Sequence, residues 1–435
     1  MPGGRTVGQS MNRRAALGWI GTGSTVALSA VNAEAGSSHQ AQSPPLPSPM
    51  PPDVAVPGGL LHRATGAEAI VTALESEGVP CVFGIPGAQN NELWDVMKSR
   101  GMRYLLVTHE FSASVMADAS ARVTGRVGVF SVVPGPGLTN ALTGMGEAML
   151  DSVPIVGLVT DVDRSPEAPA YQVHDLPGAA ILRPVCKAVI EVQHEGQIPL
   201  AIHQAFRVAR CGEPGPAAVV IPYVLLNRVW NYEHLLPLAS AAPFDESAYQ
   251  KALRVLSDRR KRVGIYAGMG TFDASDALAA AAELLQAPVA TSVSGKGALP
   301  DSHRLAVGWG YGPFGTRAAE TVFQDVDVVL AVGVRYSEVS TANYSIPRHD
   351  SVIHVDVNPR NLGRNVPTTV GVQSDSGLFL QRLLADAPAV RRSPDPALWA
   401  KIRDQRDVDH VQHAQALITQ CVDPMYFLHH LGCVL

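Results

Sequence analysis

The sequence predicts an α/β protein built from two doubly wound parallel-sheet domains. Short apolar runs at 104–108, 127–133, 155–160 and 218–221 alternate with helical stretches, and the alternation repeats at 263–267, 288–292, 326–332 and 352–355. Runs of this kind suit strands covered by helices on both faces. Several runs end in Gly/Pro loops, at 84–87, 134–137 and 268–270, and ligands of open parallel sheets bind at such carboxyl edges. Apolar residues make up 46% of the 435 and charged residues 17%, as in ordinary globular α/β chains.

Residues 1–60 differ in character. Arg13-Arg14, a mild apolar run over 15–33 and the small-residue triplet Ala33-Glu34-Ala35 read as a twin-arginine export leader over 1–35. That reading predicts export or a periplasmic location, with a cytoplasmic protein as the alternative. The apolar run is too short for a stable membrane anchor. Residues 36–60 form a tether, with seven prolines between 41 and 57.

The first domain spans 61–228. A helix opens near Thr65 and stops at Gly78, with Pro80 beyond it. Val82-Phe83-Gly84 runs into a tight loop containing Pro86 and Gly87. A buried-looking strand at 104–108 delivers Glu110 to the start of a helix on which Phe111, Val115, Ala119 and Val123 share one face. The run at 127–133 enters Pro134-Gly135-Pro136-Gly137, and Asn140 sits near the start of the next helix. From position alone, Glu110 is a helix-start carboxylate favouring the local dipole.

The second domain spans 245–395. Gly268 and Gly270 follow its first strand, but Asp273 stands where a third glycine would complete a nicotinamide fingerprint. Gly333, Arg335 and Asp356 lie at later strand ends, where an ion pair or a cap would account for the two charges. Residues 396–435 form a helical tail in which Asp423-Pro424 has the look of a helix start.

Net charge is −5 without a basic block, which argues against nucleic acid. The five cysteines, 81, 186, 211, 421 and 433, contain no C-x-x-C pair, so neither a zinc site nor a disulfide framework is expected. His174, His194 and His203 lack metal-ligand spacing, and no metal site is predicted within this chain.

Thr108-His109-Glu110, Met116-Ala117-Asp118, Ala121-Arg122, Thr124-Gly125, Gly135-Pro136-Gly137 with Thr139-Asn140, and Leu150 to Pro154 together form an ordered pattern, continued by Gly212-Glu213-Pro214-Gly215-Pro216. It resembles the pyrimidine-binding domain of thiamine-diphosphate enzymes, with the acetolactate synthase group most similar. The region after 245 resembles the same family's central domain. The resemblance implies that Glu110 bonds the pyrimidine ring of the cofactor and governs its proton. A charge-assisted bond in a dry site is strong enough for that. It further implies that Pro86, Gly87, Gly135, Pro136, Gly137 and Asn140 line the cofactor, and, weakly, that Gln172 and Phe111 approach the substrate. That substrate is a 2-oxo acid such as pyruvate, decarboxylated and joined to a second carbonyl.

In acetolactate synthases the central domain also holds FAD, which would place Gly268, Gly270, Gly333, Arg335 and Asp356 near it. An empty edge is the equal alternative. The family binds the diphosphate through magnesium on a third domain marked by Gly-Asp-Gly, a triplet this sequence lacks. Either a homo- or hetero-oligomer supplies that domain and its magnesium ligands, or the sequence is a fragment or a frameshifted gene. A catalytically silent homologue that keeps only the fold and nucleotide or cofactor binding is the alternative reading. A nicotinamide oxidoreductase is more remote.

Overall fold

The structure, a computed structural model, describes residues 62–232, 237, 242–415 and 431. They belong to one compact unit, Ala55–Leu435. The leader, the tether, Cys421, Cys433 and the Asp423-Pro424 helix start lie outside the described residues.

Among the described residues there are fourteen strands: β1 His62–Thr65, β2 Val82–Gly84, β3 Tyr104–Leu106, β4 Gly128–Val132, β5 Ile155–Asp161, β6 Ala188–Glu191, β7 Ala217–Pro222, β8 Val229–Tyr232, β9 Val263–Ala267, β10 Val289–Thr291, β11 Ala306–Trp309, β12 Val328–Val332, β13 Ser351–Asp356 and β14 Val370–Gln373. β1 and β8 make a small antiparallel pair, His62 opposite Tyr232. The rest form two six-stranded sheets, ordered β3-β2-β4-β5-β7-β6 and β11-β10-β9-β12-β13-β14. Every pairing within these two sheets is parallel. The α/β architecture expected from alternating apolar runs is therefore the one observed.

Strand order reverses between β2 and β4 and again at the β7-β6 edge of the first sheet, and between β9 and β12 in the second. Such switch points open a crevice at the carboxyl edge, the usual ligand seat of this architecture. β4, β5, β9 and β12 are buried along their whole length. This explains why they read as unbroken apolar runs rather than alternating ones.

Helix starts follow local chemistry. Thr65 caps Gly66–Ser76 with a full capping box: its hydroxyl accepts from Glu68 N at 3.3 Å, and its own N–H donates to Glu68 Oε2 at 2.7 Å. Asp245 and Asp375 cap their helices through Ala248 N and Leu378 N, each at 3.0 Å.

The region around β3 departs from expectation. β3 is an edge strand, and its Leu105 and Leu106 are about half exposed. The helix Glu110–Thr124 also turns its apolar stripe outward: Phe111, Val115 and Val123 are exposed, while Ala113, Ser114, Ala117, Asp118 and Ala121 face inward. The sequence pattern found the right face and gave it the wrong side. Small side chains win the inner position because the helix lies almost on the strand beside it. A Cβ at Gly128 would stand 1.9 Å from the Ala117 carbonyl oxygen. A Cβ at Gly144, in the helix Pro136–Asp151, would stand 2.3 Å from Ser114 Oγ. These two contacts lock the Glu110 helix between β4 and its neighbour.

Candidate active site

The switch point of the first sheet gathers three chain segments: the loop after β2, the loop after β4 and the helix start after β3. Each is held by a different device.

After β2, Asn90 is fully buried and ties its own loop. Its Oδ1 accepts from Gly87 N at 2.7 Å, and its Nδ2 donates to Ile85 O at 3.3 Å and Ser131 Oγ at 3.4 Å. Sequence reasoning missed Asn90. The available signal was an asparagine three residues past a Gly/Pro turn, a position where its side chain substitutes for backbone partners.

After β4, Gly135 takes φ +65°, and a Cβ there would press on His174 at 2.8 Å. Gly135 therefore combines a left-handed turn with a close approach, both of which favour glycine. Val133 lies between two other glycines. A Cβ on Gly87 would meet its Cγ1 at 2.7 Å, and one on Gly137 would meet its Cγ2 at 2.7 Å. Val133 was not singled out in the sequence, yet it accounts for both bare positions. Pro86 and Pro136 are exposed on the outer side of these loops.

After β3, His109 caps the helix, its Nδ1 accepting from Phe111 N at 3.2 Å. Glu110 is the first residue of that helix and is half-buried. Its Oε2 accepts from Asn140 Nδ2 at 3.0 Å. Its Oε1 lies 3.6 Å from the point where a Cβ of Gly137 would be. Thus Glu110, Gly137 and Asn140 meet, with one carboxylate oxygen held by an amide and the other against a bare backbone. That arrangement can accept a proton or an N–H from a flat ring laid on the glycine. It fits the aminopyrimidine of thiamine diphosphate, whose ring nitrogen needs one carboxylate oxygen and room for a ring face.

Gln172 is occupied elsewhere. Its Oε1 accepts from Asp163 N at 3.0 Å and its Nε2 donates to Asp163 O at 2.8 Å. It fastens the loop 163–172 to itself. Phe111 stands exposed at the mouth, one residue beyond Glu110.

Comparison with known proteins agrees with this geometry. Residues 64–178 match the family model for the thiamine pyrophosphate enzyme, N-terminal TPP binding domain, and residues 249–383 match that for the same enzymes' central domain. The chain belongs to the thiamine pyrophosphate enzyme family. Its relatives include the acetolactate synthase isozyme 3 large subunit of Escherichia coli K12, 35% identical over 74% of this chain and 58% of that one. The acetolactate synthase large subunit of Buchnera aphidicola from Schizaphis graminum is 33% identical over 74% of this chain and 57% of its own length. A probable acetolactate synthase large subunit of Methanocaldococcus jannaschii is 33% identical over 74% and 56%. The chain thus spans less than two thirds of these relatives.

In this thiamine pyrophosphate enzyme family member, groups at the second sheet's carboxyl edge bond one another and the first domain. Gly268 and Gly333 approach so closely that a Cβ on Gly268 would lie 1.9 Å from Gly333 O. Gly270 N donates to the same carbonyl at 3.2 Å. The bare positions at this switch point are filled by backbone. Arg335 donates to Glu213 Oε1 at 3.3 Å and Leu150 O at 2.6 Å. Asn358 Nδ2 donates to Glu213 Oε2 at 2.6 Å, and Ser152 Oγ donates to Glu213 Oε1 at 2.7 Å. Asp356 is buried, and its Oδ1 accepts from Asn358 N at 2.8 Å and Asn361 Nδ2 at 3.2 Å. Arg335 thus joins the two domains through Glu213 and Leu150, while Asp356 fastens the turn after its own strand.

Burial pushes the Asp356 carboxyl up to about 6. Unfolded, it would titrate near 4. Below about pH 4 both states carry the proton; between there and pH 6 only the folded state keeps it. Its stabilising contribution is therefore present at low pH and lost as pH rises through 6, by up to roughly 3 kcal/mol. Asp356→Asn should flatten that slope, since an amide oxygen can still accept both bonds. Urea midpoints at pH 4 and pH 7 for both proteins check this.

Among the described residues no group of three or more His, Cys, Asp or Glu is placed to hold a metal ion. Among the same residues no helix is long and apolar enough to cross a membrane.

Proposed function

We propose that this chain is the pyrimidine-holding part of a thiamine-diphosphate-dependent 2-oxo-acid carboligase of the acetolactate synthase type. One observation carries the reading: Glu110 stands at the switch point with Oε2 fixed by Asn140 and Oε1 beside Gly137. When bound, the cofactor supplies a thiazolium carbon that adds to a 2-oxo acid such as pyruvate and accepts the electrons released with carbon dioxide.

The chain's own residues would do the rest. Glu110 holds a proton at the ring nitrogen, favouring the tautomer whose exocyclic amine acts as an internal base. Asn140 keeps that carboxyl in place. Gly137 gives the ring a flat seat, and Gly135 with His174 closes the loop behind it. Magnesium and the diphosphate would be held by residues of the completing domain.

Phe111 and Val115 on the Glu110 helix, and Leu105 and Leu106 on β3, are exposed. Apolar side chains left open in this way are what a covering subunit buries. That cover would also finish the drying of Glu110, which is only half-buried in the single chain.

The test mixes the chain with pyruvate, thiamine diphosphate and magnesium, alone and with a polypeptide carrying the relatives' diphosphate-binding domain. Acetolactate is expected only in the mixture. A mixture that assembles by sedimentation yet releases no carbon dioxide would favour the catalytically silent alternative.

A further inference from the structure

The amino edge of the second sheet carries a feature that the proposed chemistry does not use. A cavity of about 510 Å³ opens beside the starts of β9, β10 and β12. It adjoins a second of about 840 Å³, and both are bordered by Arg259, Arg391 and Arg392. Volumes of this order suit a small-molecule ligand.

Six cations, Arg259, Lys261, Arg262, Arg391, Arg392 and Lys401, border the first cavity against only two carboxylates, Asp325 and Asp395. Those two are already committed. Asp325 pairs with Lys401 at 2.7 Å and Arg262 at 3.5 Å. Asp395 caps the last helix, its Oδ1 accepting from Leu398 N at 3.0 Å. Lys261 pairs outward with Asp350 at 3.1 Å. In the adjoining cavity Glu283 is bound by Arg304. Among the described residues, Arg259, Arg391 and Arg392 are left with no carboxylate partner.

Arg392 is the most informative of the three. Its guanidinium donates only to main-chain carbonyls, Leu256 O at 3.2 Å, Asp258 O at 3.4 Å and Lys261 O. Its Nε is enclosed and has no partner. Burial lowers its proton affinity, and the charges of Asp258 and Asp327 only partly offset that. Leu285, Pro288, Val322, Val326 and Leu398 give the same cavity an apolar wall.

We propose that this amino-edge cavity binds a nucleoside polyphosphate, with its phosphates among Arg259, Arg391 and Arg392 and its base on the apolar wall. The combination decides the class. Arginine forks match phosphate oxygens, and the apolar lining of the same cavity offers a surface for a base. The site lies at the opposite end of the strands from Gly268, Gly333 and Arg335.

The experiment is calorimetric titration of the full chain with ATP, tripolyphosphate and adenosine in magnesium-free buffer near physiological salt. ATP should bind saturably with one site per chain and tighter than either part alone. The exposed double variant Arg259→Ala/Arg391→Ala, checked for unchanged circular dichroism and Tm, should weaken ATP at least tenfold. Arg335→Ala at the other edge should leave ATP binding as it was. The proposal is overturned if ATP does not saturate, if tripolyphosphate binds as tightly as ATP, if the double variant binds normally, or if Arg335→Ala removes binding.

Discussion

Glu110→Gln is expected to lower carboligase turnover of the completed enzyme by roughly a hundredfold or more, the range for losing a general acid/base. The substitution keeps length and shape, and a glutamine oxygen can still accept from Asn140, which now donates at 3.0 Å. What it removes is the negative charge that stabilises a protonated ring nitrogen. Stability should therefore change little while turnover collapses, and affinity for thiamine diphosphate should fall far less than turnover does. Asn140→Ala should give a smaller loss, because the carboxylate survives but is less well aimed. Steady-state kinetics on the assembled protein decide it, and an undiminished rate in Glu110→Gln would remove Glu110 from the role.

Gly128→Ala should produce a large loss of stability for a single methyl group. The added Cβ would meet the Ala117 carbonyl oxygen at 1.9 Å and its carbon at 2.6 Å. These are main-chain atoms in a helix locked on both sides, so no rotamer can yield. Overpacking of this kind costs about 3 kcal/mol or somewhat more. The shift of the helix would also move Glu110 relative to Asn140, so activity should fall with stability. A urea titration checks it; an unchanged midpoint would show that the helix can retreat without cost.

The central strands were legible in the sequence because burial on both faces leaves an unbroken apolar run. β4, β5, β9 and β12 lie within the expected segments. β6, β11 and β14 were not anticipated, and all three are sheet edges where one side of the pattern is diluted. β1 and β8 were not legible either, since each is stabilised by a partner more than 150 residues away. Glu110 and the glycines of the first switch point could be named from the motif, but their reasons could not. Gly87 and Gly137 owe their bareness to Val133, a side chain that looked like the end of a strand. The outward stripe on the Glu110 helix misled for a physical reason. Periodicity tells which residues share a side, and only packing against small residues tells which side is inner.

Glu213 was passed over as one letter of a loop motif. Four donors from both halves of the chain converge on its carboxylate: Ser152 at 2.7 Å, Arg335 at 3.3 Å, Asn358 at 2.6 Å and Asn361 at 3.4 Å. A single anion shared this way pins the two halves at one point. Sliding one sheet over the other by a small amount would forfeit several bonds together, so intermediate tilts are penalised. Swapping either half for that of a distant cousin would strand the carboxylate or its donors, which makes the pair a poor candidate for piecemeal recombination.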